Sequence, residues 1–150
     1  MSGLDDLYQQ IILDHAKARH GEGALPAAEA HAERFERNPT CGDEVRLRIA
    51  IDGDGVERVG WEGQGCSISQ ASASILGQDV PGLTRAAAQD RVDAMRRVLR
   101  SRGEHDDADL ELLGDASAFE GVARFPMRVK CAMLPWVALE DTLRQVTARD

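Results

Sequence analysis

Apolar residues recur along the chain with two different periods, and the switch between them marks out its elements. Leu4, Leu7, Tyr8, Ile11 and Ile12 fall at steps of three and four. That spacing predicts one face of an amphipathic helix from Leu4 to about His15. Asp5 and Asp6 fall in its first turn, where carboxylates favour the helix dipole. Gly21 to Pro26 carries loop signals. His31 to Arg37 reads as an edge strand. In Val45 to Ile51, Val45, Leu47, Ile49 and Ile51 occupy every second place, the period of a half-buried strand. Asp52-Gly53-Asp54-Gly55 supplies a hairpin turn, and Val56 to Trp61 returns antiparallel to the first strand.

After Cys66 the helical period comes back. Ile68 to Gln78 predicts a helix in which Ala71 and Ala73 allow close packing. Ser67, Ser69, Ser72 and Ser74 read as packing and capping groups. Pro81 and Gly82 break this helix. Thr84 to Arg100 predicts a second, with Val92, Met95 and Leu99 as its buried stripe and Gly103 as its stop. Arg96, Arg97, Arg100 and Arg102 read as its solvated side. Asp106 to Gly121 is acidic and predicts short helical turns. The last helix spans about Cys131 to Val146, with Trp136, Leu139, Leu143 and Val146 inside. Pro135 has no N–H for the Cys131 carbonyl, so regular helix is expected to start near residues 134–135. Together these predict an α+β fold: an N-terminal helix, a small three-stranded antiparallel sheet, and helices packed on it. A chain of 150 residues fits one domain over 1–150.

Charge narrows the function. The net charge is −8 with a pI near 5.0, which argues against a phosphate-binding face for nucleic acid. Met1 to Asp6 has no basic stretch and no apolar run behind it, so no signal peptide is expected. No segment has the apolar length of a membrane span. The expected setting is the cytoplasm, where three cysteines stay reduced and serve as ligands or nucleophiles before cross-links.

Those cysteines occupy three marked places. In Asn38-Pro39-Thr40-Cys41-Gly42-Asp43, a thiol and a carboxylate two residues apart can face one side of a turn. In Gly63-Gln64-Gly65-Cys66-Ser67, the cysteine falls at a helix start, where free N–H groups favour negative charge. In Phe125-Pro126-Met127-Arg128-Val129-Lys130-Cys131, the third is expected just before a helix, with two cations nearby. Cysteines used for packing normally sit in an apolar stripe, and none of these does. Cys41, Asp43, Cys66 and Cys131 therefore form a candidate four-ligand site. Three sulfurs and one oxygen suit Zn²⁺. With four anionic ligands the ion leaves a net charge of about −2, which Arg128 and Lys130 would offset. There is no C-x-x-C, so the site would form only on folding. By residue types alone, a closed structural zinc site fits as well as a reactive one. His15, His20, His31 and His105 read as surface or helix-face residues. Glu104, Asp106, Asp107 and Asp109 lack the spacing of a calcium loop. Gly63 and Gly65 lack the third glycine of a dinucleotide fingerprint.

The three cysteine motifs, in this order, resemble the SufU family within the wider IscU/NifU superfamily of iron–sulfur assembly proteins. Gly65 to Ser74 and Phe125 to Trp136 carry most of the likeness, and Leu7 to His15 resembles the family's first helix. IscU scaffolds carry His-Cys at the third cysteine, where this chain has Lys130. Their Leu-Pro-Pro-Val-Lys segment is replaced by Phe125 to Lys130. The SufU resemblance implies a zinc-dependent sulfurtransferase with Zn²⁺ held by Cys41, Asp43, Cys66 and Cys131. It implies that a partner histidine displaces Cys41 from the metal. Cys41 then accepts persulfide sulfur from a SufS-type cysteine desulfurase, a PLP enzyme, for a downstream assembly scaffold. Arg128 would steady the freed sulfur. The alternative is an IscU-type scaffold on which an Fe–S cluster is built.

Overall fold

The computed structural model describes residues 3–148, with side chains from Asp6 onward. The side chains of Leu4 and Asp5 lie outside the described portion, as does the reading of the first residues as free of a leader.

Helix α1 (Gly3–Ala18) is followed by a 3-10 turn, Ala27–Glu29, and then by strands β1 (Ala32–Arg37), β2 (Glu44–Asp52) and β3 (Gly55–Gln64). Helices α2 (Ser67–Asp79), α3 (Arg85–Arg100) and α4 (Asp107–Leu113), a 3-10 segment (Gly114–Val122) and α5 (Pro126–Ala148) complete the chain. The expected α+β architecture is the one observed. The sheet runs β1-β2-β3, antiparallel throughout, with β1 at the edge.

Alternation places the sheet's apolar side inward. Val45, Leu47 and Ile49 of β2 are buried, while Arg46 and Arg48 turn away and pair with Glu33 on β1. Helix α5 lies across β1 and β2, and α2 packs between α1 and α5. One core results, centred on Trp61, Ile75, Leu76, Met95, Phe119, Trp136 and Leu139. Each large side chain so buried stabilises the fold by about 1.5–3 kcal/mol.

Four expectations change. Helix α5 begins at Pro126, not near residues 134–135, and Pro135 lies inside it. Pro126 suits a first helical position because its missing N–H would have no partner there. The carbonyl of Phe125 accepts the N–H groups of Arg128 and Val129 and closes the first turn. Farther along, the helix carries through Pro135 because packing on both sides holds it. Ala132, Leu134, Pro135 and Trp136 are all buried. The Ser72 hydroxyl donates to the Ala132 carbonyl at 2.6 Å and accepts from Trp136 Nε1 at 2.9 Å. These contacts offset the ~3 kcal/mol that an internal proline costs a free helix.

His15 is the second change. It is buried, with Nδ1 3.0 Å from Ser74 Oγ and Nε2 3.1 Å from Asp115 Oδ2. It thereby joins α1, α2 and the 3-10 segment. Third, the predicted inner stripe of α1 is narrower than its spacing implied. Ile12 is buried, but Leu7 is 54% exposed. Fourth, Arg96 is not on the solvated side of α3. It is half-buried and pairs with Glu140 on α5, whereas Arg97, Arg100 and Arg102 are exposed as expected, Arg97 pairing with Asp109 on α4.

Candidate metal centre

Three elements bring the candidate ligands together. The loop between β1 and β2 carries Cys41 and Asp43. It is closed by Asn38, whose N–H donates to the Asp43 carbonyl and whose carbonyl accepts from Gly42 N–H, both at 2.8 Å. The Asn38 side chain accepts from Thr40 N–H at 3.0 Å. This turn puts Cys41 at an exposed tip and points Asp43 inward, where it is 3% exposed. Asn38 thus has a structural role that its place in the motif does not itself state. The signal for one was the Asn-Pro pair, which favours such a turn.

Cys66 lies where expected, at the N-cap of α2. Asp43 holds it on two sides. Oδ1 accepts from the Cys66 backbone N–H at 3.0 Å, and Oδ2 accepts from the Cys66 thiol at 3.2 Å. Gly65 makes this approach possible. Its φ is +153°, and a Cβ there would collide with the Asp43 carboxyl, with Cγ at 2.6 Å, and with Ser69 Oγ at 2.8 Å.

Cys131 corrects its prediction. It lies five residues inside α5, not ahead of it, and is buried. Its thiol points back along the helix to the Met127 carbonyl at 3.5 Å and lies 3.6 Å from Cys41 Sγ. Ligand atoms of Cys41, Asp43 and Cys131 all fall within 4.8 Å of one another, whereas the Cys66 thiol meets Asp43 at 3.2 Å but stands outside that mutually close trio.

The trio's separations suit a single ion, which the Cys66 thiol would have to move toward to complete four ligands. Donors around a tetrahedral zinc stand roughly 3.5–3.8 Å apart, given usual bond lengths to sulfur and oxygen. The thiol–thiol distance of 3.6 Å matches, and the 3.2 Å thiol–carboxylate distance needs only a small opening. The donor set, three sulfurs and a carboxylate oxygen, also fits zinc.

Electrostatics point the same way. Burial raises the Asp43 carboxyl, but hydrogen bonds from the Cys66 thiol, the Cys131 thiol and the Cys66 N–H outweigh it and hold Asp43 below its ordinary pKa. Burial, then Asp43 and Cys41, push the Cys131 thiol well above its ordinary range. Without a cation the pocket therefore holds a carboxylate and a protonated buried thiol. A divalent ion reverses the second.

Arg128 stands apart from this cluster. It is exposed and lines a cavity of about 770 Å³ with Tyr8, Ser67, Ile68 and Phe125. Neither Arg128 nor Lys130 makes a hydrogen bond or ion pair with the four groups among the described residues. None of the four histidines belongs to the cluster.

A small α+β domain that gathers three thiols and a carboxylate from a loop, a helix start and a helix interior defines a class of metal- or cluster-handling proteins. Residues 7–132 match the family described as the NifU-like N terminal domain. The chain belongs to that family of iron–sulfur cluster assembly proteins. It is 41% identical to a Bacillus subtilis protein named zinc-dependent sulfurtransferase SufU, over 93% of this chain and 90% of the relative. It is 36% identical to a Streptococcus pyogenes protein named iron–sulfur cluster assembly scaffold protein IscU, over 97% of this chain and 87% of the relative. A crystal structure from Fervidobacterium islandicum, described as an iron–sulfur cluster assembly scaffold protein for the SUF system, superposes with a TM-score of 0.73 at 35% identity, covering 89% of this chain and 94% of that one. No helix among the described residues is long and apolar enough to cross a membrane.

Proposed function

We propose that this chain is a zinc-dependent sulfurtransferase and that Cys41 accepts persulfide sulfur from a SufS-type cysteine desulfurase, a PLP enzyme, in the cytoplasm. The observation that carries this reading is the unequal exposure of the three thiols. Cys41 is exposed at a loop tip, Cys66 is half-buried and Cys131 is buried. A sealed structural site has no need of an exposed thiol, whereas a sulfur acceptor has.

The residues present fit zinc in donor type, and Cys41, Asp43 and Cys131 fit it in spacing. When bound, zinc keeps the coordinating thiols deprotonated at neutral pH. Asp43 anchors Cys66 through two hydrogen bonds, so the buried half of the site is fixed by the fold. Cys41 sits at an exposed loop tip, its thiol 3.6 Å from that of Cys131, and is the ligand proposed to leave when the partner docks. As a thiolate it attacks the outer sulfur of the partner's cysteine persulfide. The donor's S–S bond breaks, its cysteine departs as a thiolate, and Cys41 ends as a persulfide. The oxidation level travels with the sulfur, so no oxidant is required. Arg128, three residues ahead of Cys131 on α5 and apart from the cluster in this structure, is proposed to swing in and steady the anionic sulfur once the partner docks. A downstream assembly scaffold then takes the sulfur.

The name of the Bacillus subtilis relative supports this reading. So does Lys130 beside Cys131, with no histidine among the clustered groups. The names of the IscU relatives favour the second reading, a scaffold that holds an Fe–S cluster. Cys41→Ser is expected to abolish stimulation of the desulfurase while the circular dichroism spectrum stays unchanged. Normal stimulation by that variant removes Cys41 as acceptor. Anaerobic reconstitution with iron and sulfide that yields a stable visible chromophore would favour the scaffold.

A further inference from the structure

We infer that the cleft between the end of α3 and the start of α5 is a docking face for an acidic protein surface. The occupant is the persulfide donor, so this inference rests on the reading above.

Charge pairing carries the argument. In this acidic chain most arginines find an acid, as Arg48, Arg96 and Arg97 do with Glu33, Glu140 and Asp109. Arg100, Arg102, Arg124 and Lys130 are different. All four are exposed and line one cleft of about 640 Å³, floored by Leu99, Ala123, Pro126 and Val129, with no acidic residue in its wall. Among the described residues none of the four side chains makes a hydrogen bond or ion pair, although Glu104, Asp106 and Asp107 follow closely in sequence.

The corner that sets this crowding is built. Arg102 adopts a φ of +56°, unusual for a residue with a side chain. Gly103 follows at +95°, and a Cβ there would meet Arg124 Nε at 2.9 Å. The missing side chain lets the Arg124 guanidinium lie against the corner. Four cations gathered without a counter-charge repel one another, and an anionic partner removes that repulsion.

The neighbouring surface identifies the partner as a protein. Phe125 and Met127, the chain neighbours of the cleft-lining Pro126, are 59% and 55% exposed. Aromatic residues, methionine and arginine are the types enriched at protein interfaces. A small anion would use the cations and leave both apolar side chains uncovered. The net charge of −8 opposes nucleic acid. The Met127 carbonyl meets the Cys131 thiol at 3.5 Å, and Cys131 lies 3.6 Å from Cys41 at Sγ. A partner that fills the cleft and covers Met127 therefore comes to rest near the accepting thiol. The acidic remainder of the chain repels an acidic partner in other orientations, so the cleft also sets the docking register.

The test is desulfurase turnover titrated with this chain at low and high salt. Two variants are compared with wild type: Arg100→Glu/Arg102→Glu/Arg124→Glu and the milder Arg102→Gln/Arg124→Gln. None of these residues belongs to the ligand set, so zinc content serves as the control for an intact fold. The charge-reversed variant is expected to raise the KM for this chain about tenfold or more, with kcat at saturation within about twofold of wild type. Its salt dependence flattens, and the milder variant falls between. Sulfur transfer with unchanged KM and salt response overturns the docking face alone. Competition by millimolar inorganic phosphate with KM unmoved in the variants makes the cleft a small-anion site and overturns it too. If the wild-type chain accepts no sulfur from the donor, the proposed function fails and takes this partner with it.

Discussion

Gly65 lacks a side chain because Asp43 occupies the space one would need. Its φ of +153° and the 2.8 Å approach of Ser69 Oγ to a built Cβ leave no room for alanine. Gly65→Ala is therefore expected to push the Asp43 carboxylate off the start of α2, lowering stability by about 2 kcal/mol or more. Zinc bound per chain should fall with it, because two donors separate together. Thermal unfolding and a metal assay read the two effects, and retention of both refutes the role. At this scale the candidate site was partly legible. The C-x-D spacing was enough to place Cys41 and Asp43 in one turn, and glycine before Cys66 was enough to put that cysteine at a helix start. Two things were hidden. The role of Asn38 depends on backbone hydrogen bonds within its own loop. The burial of His15 depends on Ser74 and Asp115, which are remote in sequence.

Among the elements, α5 departs most from its sequence pattern. A proline rule that is sound for an isolated helix misplaced its start, because tertiary packing around Pro135 outweighs the one lost backbone bond. The strands, the hairpin and α2 and α3 were legible within about three residues, since each has a clear period and a clear stop. The longer α5 needs a tie to α3, and Arg96 supplies it. Its guanidinium donates to both Glu140 oxygens, at 2.8 and 3.1 Å, and Gln89 adds a bond at 3.0 Å. The bond from Arg96 leads the causes that hold the Glu140 carboxyl below its ordinary value despite burial. A depressed carboxylate pKa stabilises the fold above the unfolded value and loses that contribution as pH falls through the folded value. Glu140→Gln is thus expected to cost about 1.5 kcal/mol at neutral pH. The wild-type advantage should vanish on acidification below the ordinary glutamate range. Chemical denaturation across that range measures it, and a constant difference down to low pH contradicts the assignment.

Across the whole molecule, the proposed zinc site ties together parts that the core joins less directly. Cys41 and Asp43 come from the loop between two strands, Cys66 from the start of α2, and Cys131 from inside α5. A single ion there would cross-link sheet, α2 and α5 at one end of the domain. Binding that acts on the folded chain alone adds stability by mass action. Without the ion the same place holds a protonated buried thiol next to a carboxylate, a poorer arrangement than the metal-bound one. The rest of the fold has its own support in the buried cluster around Trp61, Phe119 and Trp136. Chelation is therefore expected to lower the unfolding midpoint by roughly 5–10 °C, the shift that about 2–4 kcal/mol produces in a domain of this size, without unfolding the chain at room temperature. Adding back one equivalent of zinc should restore the midpoint. Amide exchange should show the loss concentrated in the Asn38–Asp43 loop, the first turn of α2 and the first two turns of α5. Uniform loss across the sheet would mean that the ion supports the core as a whole. An unchanged midpoint after verified metal removal would mean that these four groups hold no ion that matters to the fold.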